Sequence, residues 1–147
     1  MYPKGGNLLH MIRQWVDDDE QWRTILRGLQ STFRHRIVTG AAVERFLSER
    51  AGRDLSRIFD QYLRDVRIPV LEYRVAGREV QLRWVNVAEG FAMPVRVLSA
   101  PGRTLWVEPT AEWMTILVDD PSVFAVDPDF YVETRALPAA PVPLARE

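Results

Sequence analysis

A tyrosine and a lysine stand two positions apart at the start of the chain, in the segment Tyr2-Pro3-Lys4-Gly5. A phenol hydroxyl is neutral at pH 7 and can donate a hydrogen bond to a carbonyl oxygen that gains negative charge in a reaction. Lys4 is the only lysine among the nineteen basic residues. Because an ammonium and a guanidinium are not interchangeable at a tight site, Lys4 is a candidate for a specific contact.

The histidines and the acidic run do not predict a metal centre. His10 and His35 are the only histidines, they fall on different predicted helices, and neither is followed by glutamate. A zinc site needs a third ligand in close geometry, and the chain has no cysteine. We expect His10 near the core and a partly cationic His35 at the end of the second helix. The run Asp17-Asp18-Asp19-Glu20 lacks the alternating ligands and the glycine of a calcium loop, so it predicts a helix cap.

Two further sets of charged residues are better explained by a solvated surface than by a site. Nothing in the sequence holds two of the strand-region glutamates at the separation that hydrolysis requires; these are Glu79, Glu89, Glu108 and Glu112. Three arginines at helical spacing could bind an anion, but interleaved acidic residues favour surface ion pairs; they are Arg23, Arg27 and Arg34. The sequence contains neither a phosphate-binding loop nor a nucleophile elbow.

The composition is that of a globular protein with one ordinary domain or two small ones. The chain has 147 residues, of which 47% are hydrophobic and 27% charged. A formal net charge of −1 gives no electrostatic footprint for nucleic acid, so we expect no nucleic-acid partner. No apolar run reaches the roughly 18–20 residues of a membrane span, so we expect no membrane partner. The absence of cysteine is compatible with any compartment, which leaves the localisation open.

Hydrophobic periodicity over residues 6–66 predicts four helices with short, antiparallel connections. The first carries Leu8, Leu9, Ile12, Trp15 and Val16 on one face, and the second carries Trp22, Ile25, Leu26, Leu29 and Phe33. Thr39 is a plausible N-cap for the third helix, and Gly52 suits its C-terminal end. Asp54 is expected to cap the fourth helix.

At Arg67-Ile68-Pro69 the period of the hydrophobic pattern changes from 3.6 to 2. A hairpin turning at Gly77 is followed by short strands predicted over about residues 94–98, 103–108, 112–118, 122–126 and 129–134. About seven strands at this spacing favour an immunoglobulin-like β-sandwich. The predicted fold class is therefore α+β, with a helical part over residues 1–67, a sandwich over 68–135 and a Pro/Ala-rich tail over 136–147.

The order of several short segments resembles one enzyme family. The N-terminal segment is of the Tyr-x-Lys-Gly type and runs into an amphipathic helix. Phe59-Asp60-Gln61-Tyr62 stands where the family has a Phe-x-Gln-Trp-like segment, and Ile68-Pro69 stands at the entry to its β-sandwich. Val126-Asp127-Pro128-Asp129 is similar to a strand entry near the end of that sandwich. Over about residues 1–135 the chain resembles the gluzincin zinc aminopeptidases related to membrane alanyl aminopeptidase and leukotriene hydrolase.

The resemblance implies that the chain is the C-terminal portion of a zinc-dependent aminopeptidase. Residues 1–67 would be the helical end of its catalytic domain, with the rest of that domain and a peptide substrate as partners. Tyr2 would be the catalytic residue that stabilises the oxyanion. The family's His-Glu-x-x-His helix and its downstream glutamate ligand are absent here. The resemblance therefore implies zinc in the longer protein, no cofactor in this chain and no activity of the chain alone.

An alternative is a stand-alone, non-enzymatic protein-interaction module of helices and a β-sandwich. Fold alone does not decide between these functions. A fragment should expose an apolar helix face near Leu8, Leu9 and Met11, through which it could form a homodimer. A self-contained module should cover that face. A third possibility, an arginine-rich nucleic-acid binder, is disfavoured by the net charge.

Overall fold

The computed structural model describes residues 2–140, with only the backbone for Tyr2. The chain divides into two compact units: Met1–Arg67 with Asp129–Tyr131, and Ile68–Pro128 with Val132–Glu147. We call these the helical unit and the strand unit. The last seven residues of the predicted Pro/Ala-rich tail, 141–147, lie outside the described residues.

The helical unit begins with three regular α-helices: α1 (Tyr2–Val16), α2 (Asp19–Phe33) and α3 (Gly40–Ala51). Asp18 caps α2 by accepting hydrogen bonds from the backbone N–H groups of the first turn, and Thr39 caps α3 in the same way. Gly52 ends α3 in the left-handed conformation with φ 66°, which glycine adopts without steric cost. Three of the four predicted caps, those of α2 and of both ends of α3, are confirmed.

The fourth helix is shorter and more irregular than its periodicity predicts. The segment α4 (Ser56–Phe59) continues directly into a π-helical turn, Asp60–Arg64. The residue before α4 is Leu55, which makes no side-chain cap. The expected cap is displaced, because the Asp54 carboxylate accepts a hydrogen bond from the backbone N–H of Ser56 at 2.9 Å. This π-helical turn places the Gln61 and Tyr62 side chains in the interior.

The core of the helical unit is formed by every helix and by the short segment Asp129–Tyr131. Its buried members are Leu8, Met11, Ile12, Trp22, Ile25, Phe46, Leu47, Leu55, Ile58, Phe59, Tyr62 and Phe130. The ring of Phe130 lies 6.3 Å from that of Trp15, centroid to centroid. The strand predicted over 129–134 is thus wrong for its first half, because Phe130 is buried with the helices.

The strand unit contains two sheets. In the four-stranded sheet the order is β5 (Met114–Leu117), β2 (Glu79–Val85), β1 (Val70–Ala76) and β6 (Glu133–Ala136). The predicted β1–β2 hairpin is confirmed, with Glu72 opposite Arg83 and Tyr73 opposite Leu82. Strand β6 pairs in parallel with β1. The second sheet is the hairpin of β3 (Val95–Ala100) and β4 (Arg103–Val107).

The strand predicted over residues 122–126 is wrong. The chain instead forms a 3₁₀ turn at Pro121–Val123, capped by the Asp120 side chain, and Val126 makes a single bridge to Val97. Pro121 has no N–H for a strand ladder and its fixed φ suits the first position of a helical turn. The α+β class is confirmed, while the described residues form six strands, and a seven-stranded immunoglobulin-like sandwich is not confirmed. Within the described residues, no helix combines the length and apolar character that a membrane crossing requires.

Candidate functional site

The candidate catalytic residue lies at the first position of α1. The structure describes the backbone of Tyr2 in this helix, while its side chain lies outside the described residues. The geometry of the surrounding segment is defined by Lys4, the third residue of α1, and by the residues that Lys4 contacts.

Lys4 connects the start of α1 to the end of the π-helical turn. Its ammonium donates a hydrogen bond of 2.6 Å to the backbone carbonyl of Asp65, sixty-one residues away in sequence. The same ammonium lies 5.9 Å from the centroid of the Tyr62 ring, within the range of a cation–π interaction. The single lysine thus makes a contact that joins Tyr2-Pro3-Lys4-Gly5 to the π-helical turn with Phe59-Asp60-Gln61-Tyr62.

The π-helical turn is itself held by two buried polar side chains. The hydroxyl of Tyr62, which is 2% exposed, donates to the carbonyl of Tyr131 at 2.8 Å. The fully buried Gln61 amide donates to the carbonyl of Arg67 at 2.9 Å. Burial, together with the nearby Tyr131, raises the pKa of Tyr62 well above its ordinary value, so Tyr62 stays a neutral hydrogen-bond donor. The carbonyl that receives Lys4 therefore belongs to a fixed segment.

Asp65 is held from the other side by Arg67. The Arg67 guanidinium donates to both carboxylate oxygens, with a shortest distance of 2.6 Å, and its backbone N–H donates at 2.8 Å. The side-chain hydrogen bonds first, and the backbone bond next, lower the pKa of the Asp65 carboxyl to about 2. At neutral pH, Asp65 is an ionised carboxylate whose main chain binds Lys4 and whose side chain binds Arg67.

An open pocket of about 490 Å³ lies over this contact. It is lined by Lys4, Gly5 and the segment from Tyr62 to Val66. Two apolar side chains border it at the surface, Leu63 at 50% and Val66 at 94% exposure. The exposed Val66 side chain and the Lys4 ammonium therefore line the same open pocket.

Neither histidine is placed as a metal ligand. His10 is half-buried, and its Nε2 lies 3.1 Å from the Asp129 carboxylate and 3.4 Å from the Gln14 amide. Residues 2–140 contain no group of three or more histidine, cysteine, aspartate or glutamate side chains that could hold a metal ion. His35 lies two residues beyond the end of α2 at Phe33, and its Nε2 accepts a hydrogen bond from the Arg34 guanidinium at 3.0 Å.

The apolar face expected on α1 is largely covered. Leu8 is 3% and Met11 0% exposed, while Leu9 is 40% exposed. The expectation that all three residues form an exposed surface is therefore wrong, because helix periodicity turns Leu8 and Met11 inward and leaves Leu9 outside. Of the exposed apolar side chains in the helical unit, Ile37 and Val66 are the most accessible.

Sequence reasoning missed an ion-pair cluster on β1, β2 and β6. Glu72, buried in β1, accepts from Arg83 on β2 at 2.9 Å and from Arg135 on β6 at 3.0 Å. The pairing of Glu72 with Arg83 could have been found, because a two-residue turn at Gly77-Arg78 puts them opposite each other. The pairing of Arg135 with Glu72 could not be predicted from the sequence, since the two residues meet only through the parallel pairing of β6 with β1.

We predict that Lys4→Met lowers the free energy of unfolding by about 1–2 kcal/mol, because the Asp65 carbonyl loses a charged donor. Urea denaturation monitored by circular dichroism measures the change. Arg27→Met is a matched control, since the Arg27 side chain is exposed and makes no hydrogen bond within residues 2–140; we expect a change within about 0.5 kcal/mol. Equal losses in the two variants would contradict a specific role for Lys4.

Comparison with known proteins gives one distant relationship. No known protein-family profile matches the sequence. A segment of 78 residues is 31% identical to Aminopeptidase N of Lactococcus lactis subsp. lactis. The matched segment covers 51% of this chain and 9% of that protein, so the chain spans much less than two thirds of its relative. The match indicates a distant and partial relationship to an aminopeptidase.

Proposed function

We propose that this chain is the C-terminal portion of a zinc-dependent, aminopeptidase-like metallopeptidase. The observation that carries the proposal is the 31% identity over 78 residues to Aminopeptidase N. The helical unit would be the end of the catalytic domain, and the strand unit would stand in the place of the family's β-sandwich. Lys4 supports this assignment, because its bond to the Asp65 carbonyl connects two segments on which the family resemblance depends.

In this proposal Tyr2 donates a hydrogen bond to the substrate. Attack on a peptide carbonyl builds negative charge on its oxygen, and a neutral phenol stabilises that charge without adding charge to the ground state. Lys4 is a positioning residue, two residues after Tyr2 on the same helix. Its bond to the segment fixed by Gln61 and Tyr62 holds the start of α1 in place.

The described residues of this chain do not fit a zinc site. The described part of the chain has no cluster of three ligands, and the sequence has two histidines and no cysteine. Zinc chemistry would therefore require ligands supplied by the rest of the longer protein, whose partners would be that remainder and a peptide substrate. We accordingly propose that the 147-residue chain alone has no peptidase activity.

The experiment compares the chain alone with the longer natural protein. The gene is first read upstream of the Tyr2 codon for an in-frame His-Glu-x-x-His and a downstream glutamate. Both proteins are then purified, and their zinc content and their hydrolysis of aminoacyl-p-nitroanilides are measured. We expect zinc near one equivalent and hydrolysis in the longer protein, and neither in the 147-residue chain.

Two results would overturn the proposal. Stoichiometric zinc together with peptidase activity in the 147-residue chain would show that the chain holds its own site. An upstream reading frame that encodes no zinc ligands would leave the relationship to aminopeptidases intact. The proposed zinc-dependent peptidase activity would then be wrong. Chelation of zinc with 1,10-phenanthroline tests whether the activity of the longer protein depends on the metal. We expect the chelator to abolish that activity.

A second candidate, a non-enzymatic protein-interaction module, is favoured by one observation. The α1 side chains Leu8 and Met11 are buried within the helical unit rather than exposed. Such a module should remain a folded monomer and should not bind a hydrophobic dye. Strong dye fluorescence or concentration-dependent dimerisation in sedimentation experiments would favour the peptidase fragment, with its homodimer formed through exposed apolar surface.

A further inference from the structure

One face of the four-stranded sheet carries a cluster of arginines around a tryptophan. Glu72 and Arg74 alternate on β1, and the β2 residues opposite them are Arg83 and Gln81. Arg135 on β6 pairs with Glu72 from the other side. Side chains two residues apart on a strand point to the same face, so these groups share one surface with Trp113, next to the start of β5. We call this surface the arginine face.

Part of the arginine face is already occupied by a carboxylate of the chain. The Arg83 guanidinium donates twice to the Glu72 Oε2, at 2.9 and 3.1 Å, and Arg135 donates to Oε1 at 3.0 Å. Burial opposes ionisation of Glu72, but hydrogen bonds and charges from both arginines outweigh it and keep its pKa below the ordinary value. The side chain of Glu72 is 8% exposed, so one protein carboxylate is held between two guanidinium groups.

Arg74, unlike Arg83 and Arg135, has no carboxylate partner among the described residues. Its Nε is buried and has no hydrogen-bond partner, and the described residues give Arg74 no ion pair. Its guanidinium carbon lies 4.5 Å from the centroid of the Trp113 ring, the same distance as that of Arg83. Stacking on an indole orients a guanidinium but satisfies none of its N–H donors. A buried donor without a partner requires an explanation, which is strain, a functional role, or a bound water, ion or ligand.

The charge at the centre of the face is positive. Among the described strand residues there, Glu72 is the carboxylate held by Arg83 and Arg135, so one negative charge faces the three guanidinium groups of Arg74, Arg83 and Arg135. Glu112, which precedes Trp113 in the chain, is exposed and lies outside β5. The next carboxylates, Glu79 and Glu133, lie at opposite ends of the strands, opposite Ala76 and Val70. Arg135 remains 57% exposed, so the face is accessible from solvent. A ligand carrying a negative charge is therefore favoured at the centre and disfavoured at the ends.

We propose that the arginine face binds an acidic segment of a protein partner through one carboxylate placed at Arg74. Arg83 and Arg135 show that carboxylate oxygens fit this cluster, since they hold Glu72 by direct guanidinium bonds. The ligand carboxylate accepts from the Arg74 guanidinium, and the adjoining peptide packs on Trp113. Planar guanidinium and carboxylate groups match each other in pairs of parallel hydrogen bonds. This proposal does not depend on the peptidase assignment, because it uses only residues of the strand unit.

The test titrates the full 147-residue chain with acetyl-Gly-Glu-Gly-amide and follows the Arg74 Nε–Hε signal by ¹⁵N–¹H NMR. Parallel titrations use the glutamine analogue, which is uncharged, and a phosphoserine analogue. We expect a saturable shift with the glutamate peptide, and Arg74→Gln should weaken binding about tenfold or more. Arg103→Gln is the matched control, an exposed arginine paired with Asp119, and should change the dissociation constant less than about twofold.

Arg74→Lys is measured as well, so that misfolding of the glutamine variant does not decide the result. Lysine keeps the positive charge but lacks the planar guanidinium group that forms paired hydrogen bonds. We expect its affinity for the glutamate peptide to lie between those of the native chain and of Arg74→Gln. The proposal would be overturned if the glutamate peptide caused no saturable shift, or if the glutamine analogue caused an equal one. The partner of the Arg74 Nε–H would then be water. Binding of the phosphoserine peptide without binding of the glutamate peptide would replace the carboxylate with a phosphate ligand and overturn it too.

Discussion

Tyr2→Phe is expected to lower kcat about 10²–10³-fold in the longer zinc-containing protein proposed above, the loss that follows removal of one oxyanion donor. The phenylalanine variant keeps the ring and the start of α1 but cannot donate a hydrogen bond. The donor acts on charge that develops only in the transition state, so KM should change much less than kcat. Steady-state hydrolysis of an aminoacyl-p-nitroanilide measures both constants.

Two controls separate this effect from a structural one. Zinc content should be unchanged, since Tyr2 is proposed as a hydrogen-bond donor and not as a ligand. Tyr73→Phe removes a phenol hydroxyl from β1 that makes no hydrogen bond among residues 2–140, and its kcat should stay within about twofold of the native value. A Tyr2→Phe enzyme with native kcat would refute the catalytic role of Tyr2 while leaving the family relationship intact.

The helical part of the fold could be predicted because its determinants are local. Asp18, Thr39 and Gly52 act through bonds to backbone groups within three or four residues of themselves. The β1–β2 hairpin follows from the same kind of information, since Gly77 takes a positive φ of 60° in a short turn. Each of these features can be derived from residue type and spacing alone.

The features that could not be predicted depend on contacts distant in sequence. Phe130 is in a stretch that alternates like a strand, but it is buried with the helices of the helical unit. Strand β6 has four exposed residues, so no hydrophobic alternation marks its place beside β1. Tertiary context decides both cases, because short strand patterns carry little intrinsic preference.

The candidate site was predictable to a similar, limited extent. Lys4 could be singled out because it is the only lysine. Its partner could not, because every residue has a backbone carbonyl and the residue type of Asp65 does not indicate that its carbonyl binds Lys4. Arg74 looked like any other solvated strand arginine. Its unsatisfied Nε and its stacking on Trp113 exist only once β2 and β5 are side by side. The residue types indicate which chemistry is possible. The register of the sheet determines which of these side chains lie close enough to act together.

Trp84→Ala should lower the free energy of unfolding by about 3–5 kcal/mol, the loss typical of removing a large aromatic from a packed core. Trp84 is 1% exposed on β2, and its ring packs edge-on against Phe91 at a centroid distance of 5.7 Å. Its indole N–H also donates to the carbonyl of Met93 at 3.3 Å, so alanine leaves both a cavity and an unsatisfied carbonyl. Urea denaturation with a strand-sensitive circular dichroism signal measures the change.

Trp106→Ala is the matched control, because it removes the same side chain from β4, where the residue is 40% exposed beside Arg96. A partly exposed tryptophan leaves little cavity when it is removed, and we expect a loss of about 1 kcal/mol or less. If both variants lost the same stability, Trp84 would not be the centre of the strand unit's core. The register that pairs β2 with β1 and β5 would then be wrong, since shifting β2 by one residue exchanges its two faces and exposes Trp84. The arginine face depends on the same register, so this stability measurement also tests the surface on which Arg74 and Trp113 meet.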